Sequence, residues 1–236
     1  MASAVEIKIL STTAMKMVFE ELAPRFERET GNRFSVNLGP SLVLEKRLLD
    51  GEAADVAIVT GPGAKELVER GKLVAGSLVE VARSLIGVAV PKGAPRPDLS
   101  SVDGFKRDLL AAKSIALSKP VGGGASGAHM AKVFEELGIT EAMAAKAKYG
   151  AGGAAGLAGL VVLRGEADIG IQQMAELIAV DVDVVGPLPA DIQSATMFTA
   201  GIPVNAAHPA EARAAITFLT TPAAKSVIKA KGLEPA

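Results

Sequence analysis

Cysteine and tryptophan are absent from the sequence, and tyrosine occurs once. Without cysteine there can be no disulfide, thiolate nucleophile or cysteine-built metal site, while reducing and oxidising compartments both stay open. Aromatic residues make up only 3% of the chain, which argues against sugar and nucleobase sites, since those rely on aromatic faces. Neither sign of charge is in excess: 25 Lys and Arg stand against 26 Asp and Glu, without a basic tract. No nucleic-acid partner and no anionic membrane partner are therefore expected. No run approaches the roughly 18 consecutive apolar residues of a membrane span, so direct membrane insertion is not expected. The start, Met1 to Lys8, has neither the basic region nor the apolar core of an export signal. The chain is thus expected to be periplasmic if such a signal was removed, and cytoplasmic otherwise.

What remains is an ordinary globular composition: 236 residues, 49% of them apolar, enough to bury a sizeable core. Twenty-five glycines and 13 prolines imply many tight turns. Such a chain suits a small polar ligand held by hydroxyls and backbone N–H groups.

Apolar runs and helical spacings alternate. A strand over Val5 to Leu10 precedes the hydroxyl-rich turn Ser11-Thr12-Thr13, and Met15, Val18, Phe19, Leu22 and Phe26 then recur at helical spacing up to Gly31. Phe34 to Leu38, the turn Gly39-Pro40-Ser41 and a helix over Leu42 to Leu49 repeat the pattern. Asp55 to Thr60, Gly61-Pro62-Gly63 and a short helix with Leu67 and Val68 repeat it again, which predicts parallel strand pairing. After the strand Leu85 to Val90, the segment Pro91 to Pro97 reads as a crossing between lobes. A second series follows, with strands at Ser114 to Leu117, near Ala147 and at Asp168 to Ile171, and Met197 to Ile202 returns to the first lobe. The expected fold is α/β and two-lobed, each lobe a mostly parallel sheet flanked by helices, joined by two crossing strands. Residues 1–90 and 195–236 form lobe I and residues 91–194 lobe II.

Open α/β sheets bind ligands at the carboxyl ends of their strands, where helix starts present free N–H groups to anions. Ser11, Thr12, Thr13 and Ser41 occupy such positions, with N-capping alone as the alternative. The segment Pro120 to Ala128 holds three glycines ahead of Ser126, allowing close backbone approach to a ligand at Gly124, Ala125 and Ser126. It is no P-loop, because Ala128 and His129 stand where lysine and Ser/Thr would follow. His129, early in the next helix, could face ligand or move a proton. His208 reads as surface filler, and neither histidine has a ligand at metal spacing, so no metal and no cofactor are expected. Arg83 could clamp a carboxylate or phosphate. Gln172 and Gln173 end a buried strand and can donate to a ligand oxygen. Asp55 reads as a cap for backbone groups. No Ser-His-Asp trio or carboxylate pair emerges.

From Ile7 to Gly232 the chain resembles a type II periplasmic solute-binding protein of the molybdate-binding branch, a fold that aconitate-isomerase-like proteins share. The marks are Lys8 to Ser11 with the helix to Gly31, Gly51 to Ile58, and Gly165 to Ile171. The resemblance implies a cleft between two lobes that captures a small oxyanion or carboxylate for the membrane permease of an ABC-type transporter. It also implies that Ser41 contacts the anion and that the Ala125-Ser126 loop and Ala155 supply backbone donors. The family's first-lobe serine aligns with Ala14, leaving Thr12 or Thr13 to substitute, and its tyrosine aligns with Gln173. Arg83 stands where that branch carries a neutral residue, which suits a carboxylate. The alternative is a cofactor-independent isomerase of a small tricarboxylate, with His129 as its catalytic acid or base.

Overall fold

A computed structural model describes residues 4–121, 124–150 and 157–236. They fall into two compact units, Met1–Arg83 with Thr196–Ala236, and Ser84–Ala195.

The chain begins in the first unit with β1 (Glu6–Thr12), α1 (Lys16–Thr30), β2 (Arg33–Gly39), α2 (Ser41–Leu49), β3 (Val56–Thr60), α3 (Gly61–Glu69) and the start of β4 (Val79–Val90). Helix α1 forms because Val18, Phe19, Leu22 and Phe26 fall on one buried face. It stops at Gly31, whose φ of 75° is the left-handed conformation glycine adopts without steric cost. Phe26 stacks on Phe34 of β2 with ring centroids 4.0 Å apart, fastening helix to sheet. Strand β1 is parallel to both β2 and β3. Thr12 pairs with Gly39, and Ser11 with Ile58, so three carboxyl strand ends meet at one sheet edge.

The second unit continues with the rest of β4, α4 (Val102–Ala111), β5 (Ile115–Leu117), α5 (Ala125–Glu136), α6 (Thr140–Ala144), β6 (Ala147–Tyr149), α7 (Ala158–Leu163), β7 (Ile169–Gln173), α8 (Met174–Ile178) and β8 (Asp183–Pro187). Strand β5 is parallel to β6 and β7, while β4 runs antiparallel to β7 and β8. Leu117 pairs with Tyr149 and with Ile171, which again aligns the carboxyl ends. Phe105, Leu109, Ile115, Met130, Val133 and Ile171 fill the core. The proline-rich segment 91–97 lies within this unit: Gly93 N–H donates to Asp183 at 3.0 Å, and Ala94 packs on the core. The division between units therefore falls at Arg83 and Ser84, inside β4.

The chain then returns to the first unit through β9 (Ala195–Gly201), α9 (Pro209–Leu219), α10 (Pro222–Ala230) and β10 (Glu234–Pro235). Strand β9 is antiparallel to β3, and β10 to the start of β4. Buried Asp55 accepts the N–H groups of Lys8 at 2.9 Å and His208 at 2.8 Å, joining β1 to the entry of α9. That is a structural cap. Among the described residues no helix is long and apolar enough to cross a membrane.

Candidate functional site

Each unit carries one edge where parallel strands deliver hydroxyls and helix starts. In the first unit Ser11, the penultimate residue of β1, is completely buried, and its hydroxyl has no hydrogen-bond partner among the described residues. Thr12 and Thr13 follow, both buried, and open a short 3-10 turn leading into α1 without a side-chain cap. Ser41 is buried as the first residue of α2. The preceding N-cap is Pro40, whose side chain can accept nothing, so the end of α2 has no side-chain cap either. The neighbouring α3 is different. Thr60 accepts Gly63 N–H at 3.3 Å and donates to Glu45 at 3.0 Å. The Glu45 carboxyl lies so close that a Cβ on Gly63 would collide with it. Helix α3 thus has an internal anion at its start, while α2 has none. Burial pushes the Glu45 carboxyl above its ordinary range, against the lowering effect of the Thr60 bonds and with a smaller raising contribution from Glu66.

In the second unit Gly124 is the N-cap of α5, which likewise has no side-chain cap. Ala125 is the first helical residue. Ser126 is 1% exposed, and its hydroxyl has no partner among the described residues. A Cβ placed on Gly124 would lie 3.6 Å from the Ser118 hydroxyl and 3.9 Å from that of Ser126, so glycine leaves the space between two hydroxyls open. A buried, unpaired hydroxyl costs about 1 to 3 kcal/mol and calls for a physical reason. A ligand acceptor is one.

Gln173 ends β7, is buried and stands at the N-cap position of α8 without a side-chain cap bond. Its neighbour Gln172 accepts Ala158 N–H, the start of α7, at 2.7 Å. That amide is engaged within the fold. Glu176, three residues beyond the strand and in the first turn of α8, gave no signal in the sequence. It is 9% exposed, and burial raises its pKa to about 7 against the hydrogen bonds from the Gln172 side chain and the Gln173 backbone.

The remaining candidates have partners within the fold. Arg83 pairs with Glu234 at 3.0 Å, both side chains half exposed, because β10 sets the two residues opposite each other. His129 bonds through Nε2 to the Ile192 carbonyl at 2.8 Å. A carbonyl only accepts, so this nitrogen carries the proton and Nδ1 alone is available for proton transfer. Ala155 lies outside the described residues. No group of three or more His, Cys, Asp and Glu able to hold a metal occurs among the described residues. Around Ser11, Ser41 and Ser126 the edges offer hydroxyls and uncapped helix starts, a chemistry complementary to an acceptor-rich anion.

Known proteins resemble this chain along nearly its whole length. The family model for bacterial extracellular solute-binding proteins matches residues 7–234. An aconitate isomerase of Pseudomonas sp. is 34% identical over 97% of this chain and 87% of that protein. The molybdate-binding protein of Azotobacter vinelandii is 25% identical over 98% of this chain and 90% of that one. A solved structure of a periplasmic molybdate-binding protein from Azotobacter vinelandii superposes with a TM-score of 0.78 at 22% identity, covering 96% of this chain and 98% of the other.

Proposed function

The chain belongs to the bacterial extracellular solute-binding proteins, and we propose that it captures a small oxyanion or carboxylate with donors of the kind that each unit presents at its serine-bearing edge. The observation that carries this reading is the pair of buried hydroxyls, Ser11 and Ser126, that have no hydrogen-bond partner among the described residues. Each sits where parallel strands end and a helix starts without a side-chain cap. Hydroxyls can donate, and helix starts add unpaired N–H groups and positive potential, so together they suit a ligand that only accepts. In this reading the protein serves the membrane permease of an ABC-type transporter. The molybdate-binding relative supports anion capture.

A second reading, a cofactor-independent isomerase of a small tricarboxylate, is favoured by the 34% identity to an aconitate isomerase along nearly the whole chain. The reaction would take a proton from the methylene beside a carboxylate and return one to the former alkene carbon, shifting the double bond by one position. His129 would act through Nδ1, its Nε2 being held by Ile192.

Titration calorimetry with molybdate, sulfate, citrate and trans-aconitate, alongside proton NMR of a cis-aconitate solution, tests both. Saturable binding of an anion without turnover supports capture. Interconversion of the aconitate isomers establishes the isomerase. An absence of both binding and turnover overturns the two together.

A further inference from the structure

Glu45 brings a carboxylate to the serine-bearing edge of the first unit. It lies on α2 four residues after Ser41, a spacing that puts the two Cβ atoms about 5 to 6 Å apart on one side of the helix. Helical side chains lean toward the N-terminus of their own helix, which carries the Glu45 carboxyl toward the turn at Ser41. Two contacts hold it there. Glu45 Oε1 accepts the Thr60 hydroxyl at 3.0 Å, and the missing side chain of Gly63 leaves the space that the carboxyl occupies. Thr60 is the last residue of β3, two beyond Ile58, which pairs with Ser11. On the other side of β1, Thr12 pairs with Gly39, two residues ahead of Ser41. The carboxyl thus stands at the level where the three strands end.

No ion pair among the described residues includes Glu45. The cations of its own helix are engaged elsewhere, Lys46 with Asp50 and Arg47 with Glu52. Helix α2 packs against α3, β1 and β3. Strand β3 has no ionisable side chain, Lys8 of β1 pairs with Glu52, and Lys65 of α3 is exposed beside Glu66. Nor does capping of α3 call for a charge at residue 45, since the Thr60 hydroxyl itself accepts Gly63 N–H and a neutral amide could accept from Thr60 equally well. An anion held at Ser41 would lie roughly 6 to 8 Å from this carboxylate, and their repulsion scales with the charge of the ligand.

We infer that Glu45 is a specificity-determining residue of the anion edge, which ranks ligands of equal shape by charge and favours the one with fewer negative charges. The inference rests on the reading of that edge as an anion site. Ser11, Ser41 and the helix starts attract an anion, and Glu45 limits how much charge it brings.

The test is titration calorimetry of the whole chain at about pH 8, where free carboxyls are ionised. Two pairs of ligands are compared: molybdate with perrhenate, tetrahedral oxyanions that are doubly and singly charged, and succinate with succinamate, in which an amide replaces one carboxylate. Glu45→Gln keeps an acceptor for the Thr60 hydroxyl. It is expected to shift the affinity ratio within each pair that binds by on the order of tenfold toward the doubly charged member. Glu45→Asp keeps the charge and is expected to keep the wild-type ratio. If the amide variant does not fold, Glu45→Ala reads the same ratio. An unchanged ratio in the neutral variants overturns the inference and leaves the anion reading standing. An equal shift in Glu45→Asp also overturns it, by assigning the effect to shape. No binding of any of the four ligands by wild type or Glu45→Gln removes the anion reading of this edge and the inference with it.

Discussion

The Cβ that Gly127 lacks would sit against the main-chain carbonyl oxygens of Ser118 and Lys119, the latter at 2.6 Å. Helix α5 lies this close to the β5 loop only because residue 127 has no side chain, and both obstacles are backbone. Gly127→Ala is therefore expected to lower stability by about 2 kcal/mol, as overpacking does, and to displace Ser126 with the helix start. Urea denaturation measures the first effect, and a wild-type midpoint would show that the loop yields freely.

Buried hydroxyls in this protein fall into two groups that should respond oppositely to alanine. Ser77 donates to Val74 at 2.7 Å and accepts Ile202 N–H at 3.0 Å. Ser11 and Ser126 have no partner among the described residues. In the ligand-free protein Ser77→Ala is expected to cost about 1 to 3 kcal/mol, since it strands a buried N–H. Ser11→Ala and Ser126→Ala are expected to be neutral or stabilising by up to about 1 kcal/mol. Denaturation of the three variants in ligand-free buffer checks the contrast.

Asp55 is structural and should behave accordingly. Removing it leaves the N–H groups of Lys8 and His208 without their acceptor. Asp55→Ala is expected to destabilise the chain by about 3 kcal/mol, in keeping with two bonds to a charged acceptor, and to leave the affinity of the folded fraction unchanged. Chemical denaturation gives the first value and calorimetry on folded protein the second.

The ionisation of Glu176 has a signature in stability that is independent of ligand. Its folded pKa of about 7 lies above the ordinary value of 4.5, with burial as the main cause. The native state thus binds more protons than the unfolded chain between these values. The resulting stabilisation is complete below about pH 4.5 and is lost as pH rises through about 7, to a total of roughly 3 kcal/mol. Glu176→Gln does not titrate, so its stability relative to wild type is expected to rise by about that amount from pH 4.5 to pH 8. A flat difference between the two denaturation series would mean that Glu176 titrates normally in the fold.

The elements legible in the sequence are those with an uninterrupted apolar run or stripe. Ile7, Ile9 and Leu10 announce β1, and Val18, Leu22 and Phe26 announce α1. Strand β4 begins at Val79, well before the apolar run from Leu85, because the exposed residues Glu80 and Arg83 interrupt its start. Helix α4 escapes because it buries only Gly104, Phe105 and Leu109 among charged neighbours. The glycine- and serine-bearing turns at 11–13, 41 and 124–126 were readable because residue type and strand ends coincide there. Arg83 was not, since its partner Glu234 lies 151 positions away and only the β10 pairing brings them together. Glu176 was hidden for a related reason. A lone glutamate in an apolar stretch reads as a solvated helix face, and its burial depends on the packing of α7, β7 and β8 around it.

The most direct test of the account is the anion affinity of Ser11→Ala and of Ser126→Ala, each read by calorimetry with whichever of molybdate, sulfate, citrate or trans-aconitate binds wild type. Each substitution alone is expected to weaken binding by about 1 to 3 kcal/mol while the ligand-free protein stays as stable as before. Wild-type affinity in both single variants would contradict the claim that these two buried hydroxyls exist to meet an anion.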